Sequence, residues 1–205
     1  VSTESGIPDF RSEDGLYRQK FDYPPEQIIS HTFYKKDPEY FFRFYREKML
    51  PLGFEPNITH KVLARLEQEG HLAAVVTQNV DGLHQKAGSK NVLELHGSEA
   101  KYYCCNCGKD YDVEYIADAS KPIPLCEKCG GVVRPYVTLY GEGLNEFVVE
   151  RAIRAICEAD VLIIGGTSLT VYPAASFISY FQGNSIVVVN MEKTVSDANA
   201  DLVFH

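Results

Sequence analysis

Two cysteine pairs, Cys104-x-x-Cys107 and Cys126-x-x-Cys129, stand eighteen residues apart and constrain what this chain can fold into more than any other feature. The spacing lies in the window of a four-thiolate zinc site, each pair forming a knuckle that aims two sulfurs at one ion. Gly108 and Gly130-Gly131 follow the knuckles and supply tight turns. A closed four-sulfur shell leaves no open position for substrate, so one structural zinc is expected, with a folding role. Two disulfides or four buried thiols form the competing reading. Cys105 reads as a bystander, because a C-x-C bite suits a tetrahedral ion less well than C-x-x-C. Cys157, on the apolar side of a predicted helix, reads as a buried structural thiol.

The 205 residues, 45% of them hydrophobic, suffice for one large domain with a small appendage. A net charge of -8 opposes the basic footprint of a nucleic-acid binder, so no nucleic-acid partner is expected. Apolar runs such as 161–164 and 72–76 are too short to cross a bilayer, no secretory leader is visible in the residues present, and no membrane partner is expected. Val1 in place of an initiator Met leads us to expect further residues upstream. Knuckle cysteines in an ordinary globular composition point to a reducing compartment, and a cytoplasmic monomer is expected.

Residues 1–35 are rich in turn formers and aromatics and read as an ordered loop. Helical periodicity covers 37–49 and 57–68, the second helix ending at Gly70. Residues 72–77 form a short apolar run that predicts a buried strand of a parallel sheet. After the metal segment a βαβ rhythm returns: helix 146–159, strand Val161–Gly165, helix 172–181, strand 185–190 and strand Leu202–Phe204. The expected fold class is α/β, a Rossmann-like parallel sheet with helices on both faces plus a small inserted zinc-ribbon and helical domain. Residues 1–100 and 135–205 form the discontinuous larger domain, 101–134 the ribbon with little core of its own, and 14–55 a helical part of the small domain.

Strand Val161–Gly165 runs into Gly166, Thr167 and Ser168, a geometry in which backbone N–H groups approach phosphate or ribose. Alone this turn is more often a packing device. Gln78, Asn79 and Asp81 at the end of one strand and Asn190 at the end of another add amide and carboxylate groups at the same sheet edge, where ligands of open α/β sheets bind. His96 closes a short strand just before the metal segment and could serve as a general base, although a His-Gly pair is more often structural. His31, His60, His71, His84 and His205 read as structural. No G-x-G-x-x-G fingerprint occurs, which counts against a hydride-transferring dehydrogenase.

Taken together, Ser5-Gly6-Ile7-Pro8-Asp9-Phe10-Arg11-Ser12, Thr77-Gln78-Asn79-Val80-Asp81, Leu95-His96-Gly97, the two C-x-x-C pairs and Gly166-Thr167-Ser168-Leu169 resemble, in order and spacing, the sirtuin (Sir2) family of bacterial type. The resemblance covers the whole chain. It implies an NAD-dependent protein-lysine deacylase that consumes NAD and releases nicotinamide, free lysine and O-acyl-ADP-ribose. A family Gly-Ala-Gly stretch would precede a position like Val1, so the pyrophosphate site is expected to extend upstream, and a final helix is expected beyond His205.

By the same resemblance His96 is the general base, with Asn79 and Asp81 as its catalytic companions. NAD is expected to meet Ser2, Ile7, Pro8, Asp9, Phe10, Arg11 and Tyr17 in the covering loop, Gln78, Asn79, Val80 and Asp81 around nicotinamide and ribose, and Gly166, Thr167, Ser168, Asn190, Met191 and Glu192 along the rest of the dinucleotide. Tyr140, Gly141 and Glu142 on one edge, and Leu169 and Val171 on the other, resemble the walls that clamp an extended acyl-lysine peptide by strand addition. Tyr45-x-x-Lys48 stands near a Tyr-x-x-Arg pair found in relatives that remove acidic acyl groups. Lysine lacks the planar fork that suits a carboxylate, so acetyl-lysine is the expected substrate and succinyl or malonyl the alternative. ADP-ribosyl transfer from the same NAD site and a zinc-ribbon binding module without turnover are the rival readings.

Overall fold

The computed structural model describes residues 1–8, 15, 21–50 and 53–205. Its first third is more helical than the sequence suggests. Pro25 sits at the first turn of helix α1 (Pro25–Ile28), where its fixed φ and missing N–H suit a helix start. Ser30 then caps α2 (His31–Lys36), its hydroxyl accepting the Phe33 N–H. Among the described residues of 1–35, the expected loop is therefore corrected to a 3-10 turn over Ser2–Ser5 and two short helices. Asp37 caps α3 (Pro38–Lys48), and Asn57 caps α4 (Ile58–Gln68).

The strand expected over 72–77 shrinks to β1 (Val75–Thr77). The N–H groups of His71 and Leu72 both bond the Leu66 carbonyl, with Gly70 at φ 78°, so these residues still close the end of α4. β1 pairs in parallel with β2 (Val92–Glu94), and α5 (Leu83–Lys86) lies between them in sequence. Strands β3 (Gly97–Cys104), β4 (Asp110–Tyr111) and β5 (Val133–Val137) form an antiparallel sheet in the order β4-β3-β5, and α6 spans Val113–Ala117. Helix α7 (Glu146–Glu158) leads to β6 (Val161–Gly165), β7 (Ser185–Val189) and β8 (Leu202–Phe204), parallel neighbours in that order.

Residues 172–181 are corrected from an α-helix to a 3-10 helix over Ala174–Tyr180. Ser176 Oγ bonds the Pro173 carbonyl at 2.6 Å and Ser179 Oγ the Ser176 carbonyl at 2.7 Å, hydroxyls that compete locally for the carbonyls an α-helix would use.

Among the described residues no ladder joins β1–β2 to β6–β7–β8. Packing joins them instead. Ala152 and Ile156 of α7, Leu93 and Leu95 around β2, and Ala174 and Phe177 of the 3-10 helix share one buried cluster, with Val76 and Leu162 against it.

The metal segment shares its core with the helices. Tyr34, Phe41, Phe42 and Tyr45 of α2 and α3 bury against Tyr102, Cys104, Ile116, Cys126, Val133 and Leu139. Arg46 fastens the two by donating to the carbonyls of Ile116, Pro122 and Lys121.

Candidate active site and metal centre

The chain crosses the carboxyl ends of β1, β2, β6 and β7 with the polar residues singled out from the sequence, the place where open α/β sheets bind ligands. After β1, the Asn79 N–H bonds Thr77 Oγ1 at 3.0 Å and Asp81 Oδ1 accepts the Leu83 N–H at 2.9 Å. Both are short side-chain turns that replace a ladder once the strand ends. Gly82 at φ 70° lets the chain turn into α5. Gln78 Nε2 reaches Thr167 Oγ1 at 3.5 Å and so bridges the ends of β1 and β6.

Ser2 stands at the centre of the site, 7% exposed. Its hydroxyl donates to Asp81 Oδ2 at 2.6 Å and accepts from Asn79 Nδ2 at 2.9 Å. Asn57 Nδ2 holds the segment in place by donating to the Val1 carbonyl and to Ser5 Oγ. Ile7 is half-buried and Pro8 exposed, while Asp9, Phe10, Arg11 and Tyr17 lie outside the described residues. The Val80 carbonyl accepts the Glu99 N–H at 2.7 Å.

His96 is held by main chain. Its Nδ1 bonds the Gln78 carbonyl at 3.0 Å. A carbonyl only accepts, so Nδ1 carries a proton, and in the neutral ring the lone pair is on Nε2. The next residue must be glycine: Gly97 has φ +80°, and a Cβ there would fall 2.0 Å from the Tyr136 carbonyl oxygen.

At the other strand ends, Thr167 Oγ1 accepts the Leu169 N–H at 3.2 Å, and Ser168 and Thr170 hydroxyls meet at 2.9 Å. Leu169 has φ 54° and packs with Ile164, Ala175 and Val188, so its side chain is core and its backbone is what faces the edge. Val171 beside it is half-buried. Asn190 Nδ2 turns back onto the Glu192 carbonyl at 2.9 Å, and Met191 is 91% exposed.

The expected peptide edge is braced from behind. Tyr140 exchanges backbone bonds with 29–31, its N–H reaching the Ile29 carbonyl and its carbonyl accepting the His31 N–H. Glu142 turns inward instead of lining a surface: its carboxylate accepts from Arg134 Nη1 and Nη2 at 2.6 and 3.0 Å, from His31 Nδ1 at 2.7 Å and from the Leu139 N–H at 2.8 Å. Burial works to raise this carboxyl, yet the Arg134, His31 and Leu139 donors hold it down at about 2. Tyr45 is not brought to either edge, since it is 2% exposed within the core of α3 and the metal segment. Lys48 pairs with neighbouring Glu47 and covers the Phe21 ring, so Tyr45-x-x-Lys48 does not form a joint pair.

The sulfurs of Cys104, Cys107, Cys126 and Cys129 lie within 4.8 Å of one another, with Cys104–Cys129 at 3.5 Å and Cys107–Cys126 at 3.6 Å. A tetrahedral zinc with Zn–S bonds of about 2.3 Å sets its sulfurs about 3.8 Å apart, so the cluster fits that ion. None of the four is in a disulfide. Gly108 and Gly130 both take positive φ, each donating back to the first cysteine of its knuckle. Tyr111 donates its hydroxyl to Cys126 Sγ at 3.1 Å, which pulls that thiol down to about 6, towards the thiolate a metal needs. Cys105 stands apart with Tyr34 as neighbour. Cys157 is half-buried and bonds the Tyr180 carbonyl.

The model of the Sir2 family matches residues 1–173. The chain belongs to the Sir2 family. An NAD-dependent protein deacetylase of Clostridium acetobutylicum is 57% identical over 99% of this chain and 84% of its own length, and one of Clostridium perfringens is 53% identical over 100% and 85%. Among solved sirtuins, one described as Sir2 with p53 peptide and NAD+ superposes with a TM-score of 0.87 at 41% identity, covering 100% of this chain and 83% of its own. Another, Sir2 bound to acetylated peptide, gives 0.86 at 38%, with the same coverage.

Four groups that surround this sirtuin site escaped the sequence reading, which took His60 and His84 as structural and did not single out Glu99 or Arg134. His60 and His84 are buried behind Ser2 and Asp81, Glu99 beside Val80, and Arg134 under Glu142. The only signal for His60 was its position three residues after the cap Asn57. For the others a buried titratable group becomes visible only once the fold brings distant residues together.

Proposed function

We propose that this protein is an NAD-dependent protein-lysine deacetylase that consumes NAD and yields nicotinamide, free lysine and O-acetyl-ADP-ribose. The observation that carries the reading is His96, fixed as the Nδ1–H tautomer at the sheet edge that also gathers Asn79, Asp81, Ser2 and Thr167. NAD, when bound, supplies an electrophilic ribose carbon and nicotinamide as leaving group. The His96 Nε2 lone pair takes up a proton from a hydroxyl at that edge. Asn79, Asp81 and Ser2 bind and orient the nicotinamide end, and Gln78, Thr167, Ser168 and Asn190 hold the dinucleotide along the remaining strand ends. Tyr140 and Gly141, braced by the Glu142 clamp, form one wall of a cleft in which an acyl-lysine peptide lies extended, with the backbone of 169–171 as the other.

Acetyl is the acyl group this site suits, because Tyr45 is buried in the core and Lys48, paired with Glu47, lacks the planar fork that suits an acidic acyl chain. A reducing, cytoplasmic setting accords with unpaired cysteines at a zinc site. No helix among the described residues is long and apolar enough to cross a membrane. The test is incubation with NAD and an acetyl-lysine peptide, following nicotinamide release and peptide mass. NAD-dependent loss of acetyl that falls at least about 100-fold in His96→Ala supports the reading. ADP-ribose attached to protein with no deacetylation overturns it.

A further inference from the structure

Behind Ser2 two imidazoles meet in the protein interior. His60 is 0% and His84 4% exposed, with ring centroids 4.8 Å apart at 64°. His60 Nδ1 accepts the Asn57 N–H at 3.3 Å, closing a capping box at the start of α4. A nitrogen that accepts carries no proton, so in the neutral ring the proton is on Nε2. That nitrogen lies 3.5 Å from Ser2 Oγ. A serine hydroxyl has one proton to give, and Ser2 gives it to the Asp81 carboxylate. Toward His60 it can therefore only accept. Both ends of the bond therefore require the same direction, from His60 to Ser2.

The geometry points to His60 as a positioning residue that sets the polarity of the Asn79–Ser2–Asp81 network through an Nε2–H directed at Ser2. The inference rests on the functional reading of that network. With acceptor sites filled by His60 and Asn79, the Ser2 hydroxyl has one direction left for its proton, towards Asp81. Asn79 spends its amide nitrogen on Ser2 and keeps its carbonyl oxygen for the ligand. Burial holds both imidazoles towards neutral, pushing His84 down to about 4 with His60 contributing, and among the described residues His84 Nδ1 has no hydrogen-bond partner. A charged ring at either position would face the other across a dry contact.

Long-range 15N–1H spectra of the intact protein at neutral pH read the tautomer directly. A neutral His60 ring protonated on Nε2 is expected, and a ring protonated on Nδ1, or on both nitrogens, overturns the inference. Kinetics supply a second arm: His60→Leu is expected to lower kcat about tenfold with the peptide KM within about twofold, and His60→Gln to recover most of the loss by donating an amide N–H to Ser2. A folded His60→Leu with native kcat, or a Gln variant no better than Leu, overturns it. If His60→Leu does not fold, the spectrum decides. Ser2→Ala separates the two levels: native deacetylation in that variant removes the reading of the network itself, whereas a slow Ser2→Ala beside a native-rate His60→Leu removes only the role of His60.

Discussion

Glu99 shows how a single side chain can be placed by its backbone at a cost to its charge. Its N–H serves the Val80 carbonyl, which holds the turn carrying Asn79 and Asp81, while its carboxyl, 6% exposed, is raised to about 8 by burial and then by Asp81. A carboxyl raised on folding holds its proton in the native state after the unfolded chain has released it, so native stability falls as pH rises from about 4.5 to about 8. Glu99→Gln escapes that loss. Urea denaturation should find the variant close to the parent at pH 5 and clearly more stable at pH 9, and equal stability at both would remove the argument. Nothing in the sequence announced this group, because a glutamate two residues after His-Gly is unremarkable until β3 carries it under the Val80 turn. His96, by contrast, was legible, since its strand, its glycine and its place before the metal segment are all local.

At the scale of elements, the joints between strands carry more information than the strands. β6 and β8 follow from apolar runs with the expected bounds, and β7 is one residue shorter. α1 and α2 were hidden because Pro24-Pro25 reads as a breaker, when Pro25 is in fact a helix start. The β3–β5 contact at Gly97 is the least forgiving joint. Gly97→Ala combines a positive φ with a backbone clash and should cost on the order of 3 kcal/mol or more, read as a lowered denaturation midpoint together with lost activity. The Glu142 clamp is the second. Glu142→Gln leaves Arg134, 5% exposed, without its charge partner and should cost about 3 kcal/mol while raising the peptide KM. A carboxyl held at about 2 stabilises fully above its ordinary 4.5 and loses that contribution as pH falls between them. The difference between Glu142→Gln and its parent should accordingly fade below pH 4. A difference still undiminished at pH 2 would assign the cost to shape instead of charge.

For the molecule as a whole, the metal knuckles and the helical segment share one interior, in which Cys104 and Cys126 lie beside Phe41, Phe42 and Tyr45. Removing the metal therefore loosens more than a ribbon. Exhaustive chelation at neutral pH should lower Tm by about 10 °C or more, flatten the near-UV signal of the tyrosines in that core, and abolish deacetylation although no step of the chemistry passes through the ion. Full activity in zinc-free protein would refute the folding role. The cysteine spacing made the site legible, but the aromatic partners were not, because 37–49 shows helical periodicity without saying which distant segment its apolar face will meet.

The base of this enzyme is placed almost wholly by carbonyls. Gln78 holds its ring, Thr77 receives the amide of Leu95 before it, and its own carbonyl receives the amide of Thr138. Every residue but proline possesses those groups, so exchanging the side chains at 77, 78 or 138 for any other deletes none of the three bonds. The position of the reactive nitrogen is in that sense insulated from mutational drift, and descendants of this sequence are free to rewrite the walls of the peptide cleft, and with them the choice of target, while inheriting the same chemistry.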